Sequence, residues 1–188
     1  MTILKQLATG AQEPLGALMN KDTQNFTTVR TCDIYTQGAM ANHTGSMNEA
    51  NVNDQLRYLG LQPKKRKYES LWSLRSEVDC DLDSLDNLGI CAEYKLQNVP
   101  GTADQKGATE LYNAGKKIVC DDYVLVFSGL HWETDRGKML FEMYQGIAAD
   151  FNAVPDRFCV AAKRLHVMKR DEFIKFVEQR KKEKLQNG

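Results

Sequence analysis

The sequence predicts an α/β domain: a mixed β-sheet flanked by helices. Three observations carry that expectation. Segments with apolar residues at helical spacing alternate along the chain with segments of strand character. EVDCDLD and GICAEYKLQ, joined by the turn-like SLDNLG, read as a hairpin over 77–97. YVLVF, 123–127, is a short apolar run that reads as a further strand.

The elements follow in order. Residues 1–40 are polar, weakly patterned and broken by Gly10, Pro14, Gly16 and Gly38, which reads as an N-terminal arm preceding a domain over 41–188. Ser46 reads as a helix N-cap, with Glu49 three residues on at capping-box spacing. Val52, Leu56 and Leu59 then recur at helical intervals up to Gly60, so the spacing predicts a helix over 46–59. PKKRK, 63–67, reads as a basic loop and SLWSL, 70–74, as a strand. After the hairpin, TADQKGATELYNAGKK reads as a helix capped by Thr102. A strand in IVCDDYVLVFSG, a helix in RGKMLFEMYQGIAADF, a strand in CVAAKRLHVM and a terminal helix in RDEFIKFVEQRKKEKLQ complete the series. An α+β arrangement shares this pattern; no internal repeat or low-complexity tract interrupts it.

The chain of 188 residues is long enough for one domain with a sizeable core. Twenty-five basic residues balance twenty-five acidic ones, so a polyanionic partner must be held by local patches. There is no apolar run of transmembrane length, and MTILKQLATGAQEP lacks the apolar stretch of a signal peptide. Cys32, Cys80, Cys91, Cys120 and Cys159 are scattered, odd in number and without CxxC spacing. That implies reduced thiols in a cytoplasmic protein.

The hairpin carries the chemistry. A turn centred near Asp86 sets Asp79 opposite Glu93. Strand side chains alternate, so Asp79, Asp81, Glu93, Lys95 and Gln97 share one side. Val78, Cys80, Leu82, Ile90, Ala92, Tyr94 and Leu96 then share the other, the core side. Carboxylates gathered on one side repel and raise one another's pKa, so a positive charge must compensate. Lys95 supplies one; a divalent cation such as Mg²⁺ would supply two, taking carboxylate oxygens and the Tyr94 carbonyl. The same residues also fit a solvated hairpin face with a cross-strand salt bridge.

The run VDCDLDSLDNLGICAEYK resembles the core of the PD-(D/E)XK, or restriction-endonuclease-like, nuclease superfamily. In that pattern an Asp on one strand is followed by a hairpin and an apolar strand ending Glu-x-Lys. Asp79 matches the first acid, with Asp81 as its competitor, and Glu93 and Lys95 match the Glu-x-Lys pair. Val78 stands where the family usually has proline. Many members carry a Glu on a preceding helix, which Glu49 would match, and follow the Glu-x-Lys strand with a polar loop and helix. There Gln97, Gln105 and Lys106 would approach the site or the phosphate backbone.

The resemblance covers roughly 45–130 and implies a restriction-endonuclease-like core. It implies an Mg²⁺-dependent deoxyribonuclease, with Mn²⁺ able to substitute, of type II restriction-like or phage kind. DNA is the implied partner, and a homodimer the family's usual device for cutting both strands. A metal held by Asp79, Glu93 and the carbonyl of Tyr94 would acidify a water and polarise the phosphate. Lys95 would orient that water or stabilise developing charge. Glu49 would join through a water or help bind a second ion. The alternative is a non-catalytic nucleic-acid- or protein-binding module on a nuclease-like fold.

His131 and Trp132 follow a strand, where they would meet a base or close a loop. Lys64, Lys65, Arg66 and Lys67 read equally as phosphate contacts or a solvated charge run. His43 and His166 have no assigned role.

Overall fold

A computed structural model describes residues 37–72, 74–98 and 103–187. The chain divides into Met1–Asn42 and His43–Gly188, and the sheet lies wholly in the second unit. Of the expected arm, only 37–40 fall among the described residues, and the Thr102 cap falls outside them.

Five strands form one mixed sheet in the order β1-β2-β3-β4-β5. Helix α1 (Gln37–Tyr58) precedes β1 (Lys64–Glu69), β2 (Arg75–Asp81) and β3 (Ile90–Leu96), an antiparallel meander. Helix α2 (Ala103–Lys117) crosses to β4 (Cys120–Ser128), which lies parallel to β3. A 3₁₀ turn (Leu130–Glu133), α3 (Asp135–Ala153) and the short α4 (Pro155–Phe158) lead to β5 (Ala162–Lys169), parallel to β4. Helix α5 (Arg170–Asn187) ends the chain as described.

Helices cover both faces, and each face has its own core. On one, Leu111 and Ala114 of α2 and Phe141, Tyr144 and Ala148 of α3 pack on Cys91, Tyr123, Leu125 and Phe127. On the other, Val52 and Leu56 of α1 and Phe173 and Val177 of α5 pack on Ile90, Ala92, Tyr94, Val124 and Val126. Each fully buried large aliphatic side chain contributes on the order of 2 kcal/mol.

Several sequence expectations change. Helix α1 already includes Gln37, so Ser46 lies inside it and Glu49 is no capping-box residue. The preceding stretch is helical despite its weak apolar periodicity, because Gln, Ala and Met are adequate helix formers without a marked stripe. PKKRK is not a loop: Lys64–Glu69 is an edge strand, where charged side chains are tolerated because one side faces water. SLWSL is not a strand; Leu71 and Trp72 form the turn between β1 and β2.

The hairpin register agrees with the expected one: Cys80 faces Ala92 and Asp81 faces Cys91, so the same count sets Asp79 opposite Glu93. The sorting of side chains does not hold throughout. Between the pairs Lys64↔Asp81 and Arg66↔Val78, β1 supplies Lys65 alone while β2 supplies Asp79 and Cys80. This β-bulge puts Val78 in the α2–α3 core and Cys80 in the α1–α5 core, and re-aims Asp79. Asp81 is fully buried rather than displayed beside Asp79.

Candidate functional site

Strand β3 places Glu93 and Lys95 on the same face as Cys91, at the strand end nearer α2. Their side chains are only 15% exposed. Lys95 Nζ lies 2.9 Å from Glu93 Oε1 and 3.1 Å from Glu110 Oε1 of α2. The ammonium therefore bridges two carboxylates.

Asp79 stands at the end of the β2–β3 ladder. The backbone ladder runs only from Asp81↔Cys91 to Cys80↔Ala92, and beyond it Asp79 Oδ2 accepts the Tyr94 N–H at 2.8 Å. In an extended strand the N–H and C=O of one residue face the same neighbour, so the Tyr94 carbonyl faces β2 as well. The Tyr94 ring is anchored on the other face, its hydroxyl donating to Asn53 Oδ1 at 3.2 Å and its edge meeting Phe173.

Lys65 joins Glu49 to this corner. Its Nζ lies 2.9 Å from Glu49 Oε1, 3.7 Å from Glu77 Oε1 and 3.9 Å from Asp79 Oδ1. Glu49 thus reaches the neighbourhood of Asp79 from α1, through a lysine.

The electrostatics follow from burial and crowding. Burial raises the Glu93 carboxyl to about 7; Lys95 opposes this, while Asp79 and Glu110 add to it. Asp79 is raised too, by burial first; the Tyr94 N–H resists that and the Glu49 charge assists it. Burial alone would lower Lys95, but Glu93 and Glu110 outweigh it and hold the ammonium charged, above its ordinary value.

Asp81, the competitor for first acid, is fully committed elsewhere. Its Oδ1 accepts the N–H groups of Asp83 at 2.8 Å and Ser84 at 3.2 Å, and its Oδ2 accepts the Ser84 hydroxyl. Arg66 Nε stands 3.8 Å away. Burial pushes Asp81 up, but the Ser84 and Asp83 hydrogen bonds and Arg66 bring it below the usual carboxylate range. It builds the turn.

The remaining candidates are dispersed. Gln97 is buried, with its backbone N–H on Ser128 O and its carbonyl on the His131 N–H. Gln105 and Lys106 are exposed on the first turns of α2. His131 and Trp132 are both buried; Trp132 packs on Phe127 with ring centroids 4.1 Å apart, so this pair closes a loop. Lys65 and Arg66 are engaged by carboxylates, while Lys64 and Lys67 are exposed. His166, unassigned from sequence, sits 2.8 Å from the buried Asp122, which also holds Arg164 and Arg180.

Sequence reasoning missed Glu110. The signal was available: it lies three residues after Gly107 and four before Ala114, within the stripe that α2 buries. A carboxylate in an apolar stripe requires a partner, and that partner is Lys95.

Among the described residues, no three His, Cys, Asp or Glu side chains converge as an ion site. The donors that do adjoin are two carboxylates, Asp79 and Glu93, with the Tyr94 carbonyl toward the same seam. That set fits Mg²⁺, which keeps several waters and commonly takes only one or two carboxylates. Five carboxylates, of Glu49, Glu77, Asp79, Glu93 and Glu110, surround the ammonium groups of Lys65 and Lys95, an excess of negative charge that a divalent ion would reduce. No helix among the described residues is long and apolar enough to cross a membrane. The chain matches no protein-family model, no curated protein and no solved structure.

Proposed function

We propose that the chain is a metal-dependent DNA endonuclease with a restriction-endonuclease-like core, hydrolysing phosphodiester bonds with Mg²⁺ or, in its place, Mn²⁺. The observation that carries this is that Asp79, bonded to the Tyr94 N–H where the β2–β3 ladder stops, acts electrostatically on Glu93 and on the charged Lys95 paired with it. The order helix, hairpin, Glu-x-Lys strand, helix, strand supports it.

The ion, when bound, supplies Lewis acidity toward the phosphate and acidifies water. Asp79 and Glu93 would hold it, with the Tyr94 carbonyl. Lys95 is kept protonated by its two carboxylates, so it acts as a donor and a fixed positive charge rather than a base. It would orient the attacking water or stabilise charge developing on the phosphate. Lys106, exposed one turn before Glu110 on α2, would contact the DNA backbone together with Gln105.

One observation favours the alternative, a module that binds nucleic acid or protein without cutting: Lys65 and Lys95 already bridge the carboxylates, and among the described residues no third acid converges with Asp79 and Glu93. Incubation with plasmid, linear, branched and single-stranded DNA, with Mg²⁺, Mn²⁺ or chelator, separates the two. Ion-dependent cleavage lost in Glu93→Gln supports the nuclease. Binding without cleavage of any substrate sinks it.

A further inference from the structure

We propose that Glu110 is a positioning residue: it retains the Lys95 ammonium beside the scissile phosphate when a divalent ion takes Glu93. The inference rests on the nuclease reading above and assigns a role to a residue outside the Asp and Glu-x-Lys pattern.

The argument begins with competition for one carboxylate. Glu93 is both the partner of Lys95 at 2.9 Å and the side chain placed to hold the ion with Asp79. An ion on Glu93 weakens that carboxylate as an acceptor and repels the ammonium. With Glu93 its sole partner, Lys95 would swing away on its four-carbon stem, whose rotamers are costly to fix. Glu110 Oε1, 3.1 Å from the same Nζ, is a second acceptor on a different element. The ammonium keeps a charged hydrogen bond after the exchange, worth more than a neutral one.

The position of Glu110 is imposed by packing rather than by Lys95. Helix α2 lies so close to α3 that a Cβ at Gly107 would come within 2.6 Å of the Tyr144 ring. Leu111, one turn later, and Ala114, two turns later, are fully buried under the sheet. Between Gly107 and Leu111, Glu110, its side chain 19% exposed, is carried to β3 by the helix itself. A carboxylate so fixed can act as a post against which a mobile ammonium is held.

The test is a double-mutant cycle with two variants at 110 and a direct view of the ammonium. Glu110→Gln should lower kcat by about 10- to 100-fold, as loss of positioning does, with KM for DNA little changed. Glu110→Asp, which restores the charge on a shorter arm, should recover more kcat than Glu110→Gln. In a Lys95→Ala background Glu110→Gln should cost nothing further, because it acts only through Lys95. In the Mg²⁺-loaded protein the Lys95 ammonium should give a protected ¹⁵N signal in wild type that is lost in Glu110→Gln.

Full additivity of the two substitutions, a wild-type kcat in Glu110→Gln, or an ammonium signal that survives that change would each overturn the proposal. A loss of kcat explained wholly by a lower melting temperature of Glu110→Gln would do the same. A wild-type protein that neither cuts DNA nor responds to Mg²⁺ would instead remove the nuclease reading, and the exchange at Glu93 with it.

Discussion

The carboxylate of Asp79 takes the backbone N–H of Tyr94 at 2.8 Å, completing with a side chain a ladder that the backbone of β2 abandons. The first acid of the proposed site is thereby tied to the residue between Glu93 and Lys95. Its Oδ1 remains directed toward Lys65 at 3.9 Å.

Replacement of either acid by its amide should separate ion binding from folding. Asp79→Asn and Glu93→Gln should each abolish most of the thermal stabilisation given by Mn²⁺. Without metal both should melt at or above the wild-type temperature, because burial and like charge strain each ionised carboxyl. Melting curves with and without Mn²⁺ decide, and a normal Mn²⁺ response in both variants would show that the hairpin does not hold the ion.

The metal-free protein should also show a specific pH signature. The folded-state value for Glu93, about 7, exceeds its ordinary value of 4.5. The folded state therefore holds this proton more tightly than the unfolded state does. Its stabilising effect is full below about 4.5 and is lost as pH rises toward 7. Glu93→Gln, which cannot ionise, should gain on wild type over that window, by up to ~3 kcal/mol at pH 8. Denaturant unfolding in chelator at pH 5 to 8 measures it; a difference that stays constant with pH contradicts the raised value.

Asp81 should behave in the opposite way. Its folded value is depressed by the turn hydrogen bonds and Arg66, so its contribution is present above the ordinary carboxylate value and lost as pH falls through the folded one. Asp81→Ala should cost about 2–4 kcal/mol, since it orphans Ser84, the Asp83 N–H and part of the Arg66 charge. The ion response of the remaining folded protein should persist. An Asp81→Asn protein that is stable yet blind to Mn²⁺ would move the first acid from Asp79 to Asp81.

Lys95→Ala should lose most turnover while still binding Mn²⁺, and its metal-free melting temperature should fall, because it leaves the buried Glu93 and Glu110 carboxylates without their shared partner. Wild-type turnover in that variant would remove Lys95 from the mechanism.

Lys106→Ala should weaken DNA binding similarly for all sequences and reduce the log–log salt slope by about 1. An unchanged slope in a binding titration would take Lys106 off the DNA path.

Legibility from sequence varied with the physics behind each feature. The hairpin register was readable because EVDCDLD alternates cleanly and the turn-like SLDNLG centres the pairing near Asp86, whereas Ile90, Cys91 and Ala92 interrupt the alternation in the returning strand. Strand β1 was hidden by its charges: in KKRKYE only Arg66 and Tyr68 turn inward, so a single aromatic is all that marks its packed face. The bulge was hidden because nothing in VDCD marks which residue is extra, so Val78 and Cys80 were assigned to one core instead of two. Asp81 and Asp79 are alike in composition and period; the turn bonds that separate them depend on the conformation of 81–84. Glu110 carried a readable sign, a carboxylate within a buried stripe, but its partner lies 15 residues away on another element.

The unequal pairing of β3 divides the sheet mechanically. On one side seven register pairs, from Ile90↔Asp122 to Leu96↔Ser128, bind β3 to β4. On the other, two pairs and one carboxylate bind it to β2. Strands β3, β4 and β5 therefore form the stiff jaw, and the β1–β2 hairpin the compliant one. Widening the seam would break the Tyr94 N–H bond to Asp79, so exchange at the Tyr94 amide would gauge how far the seam opens.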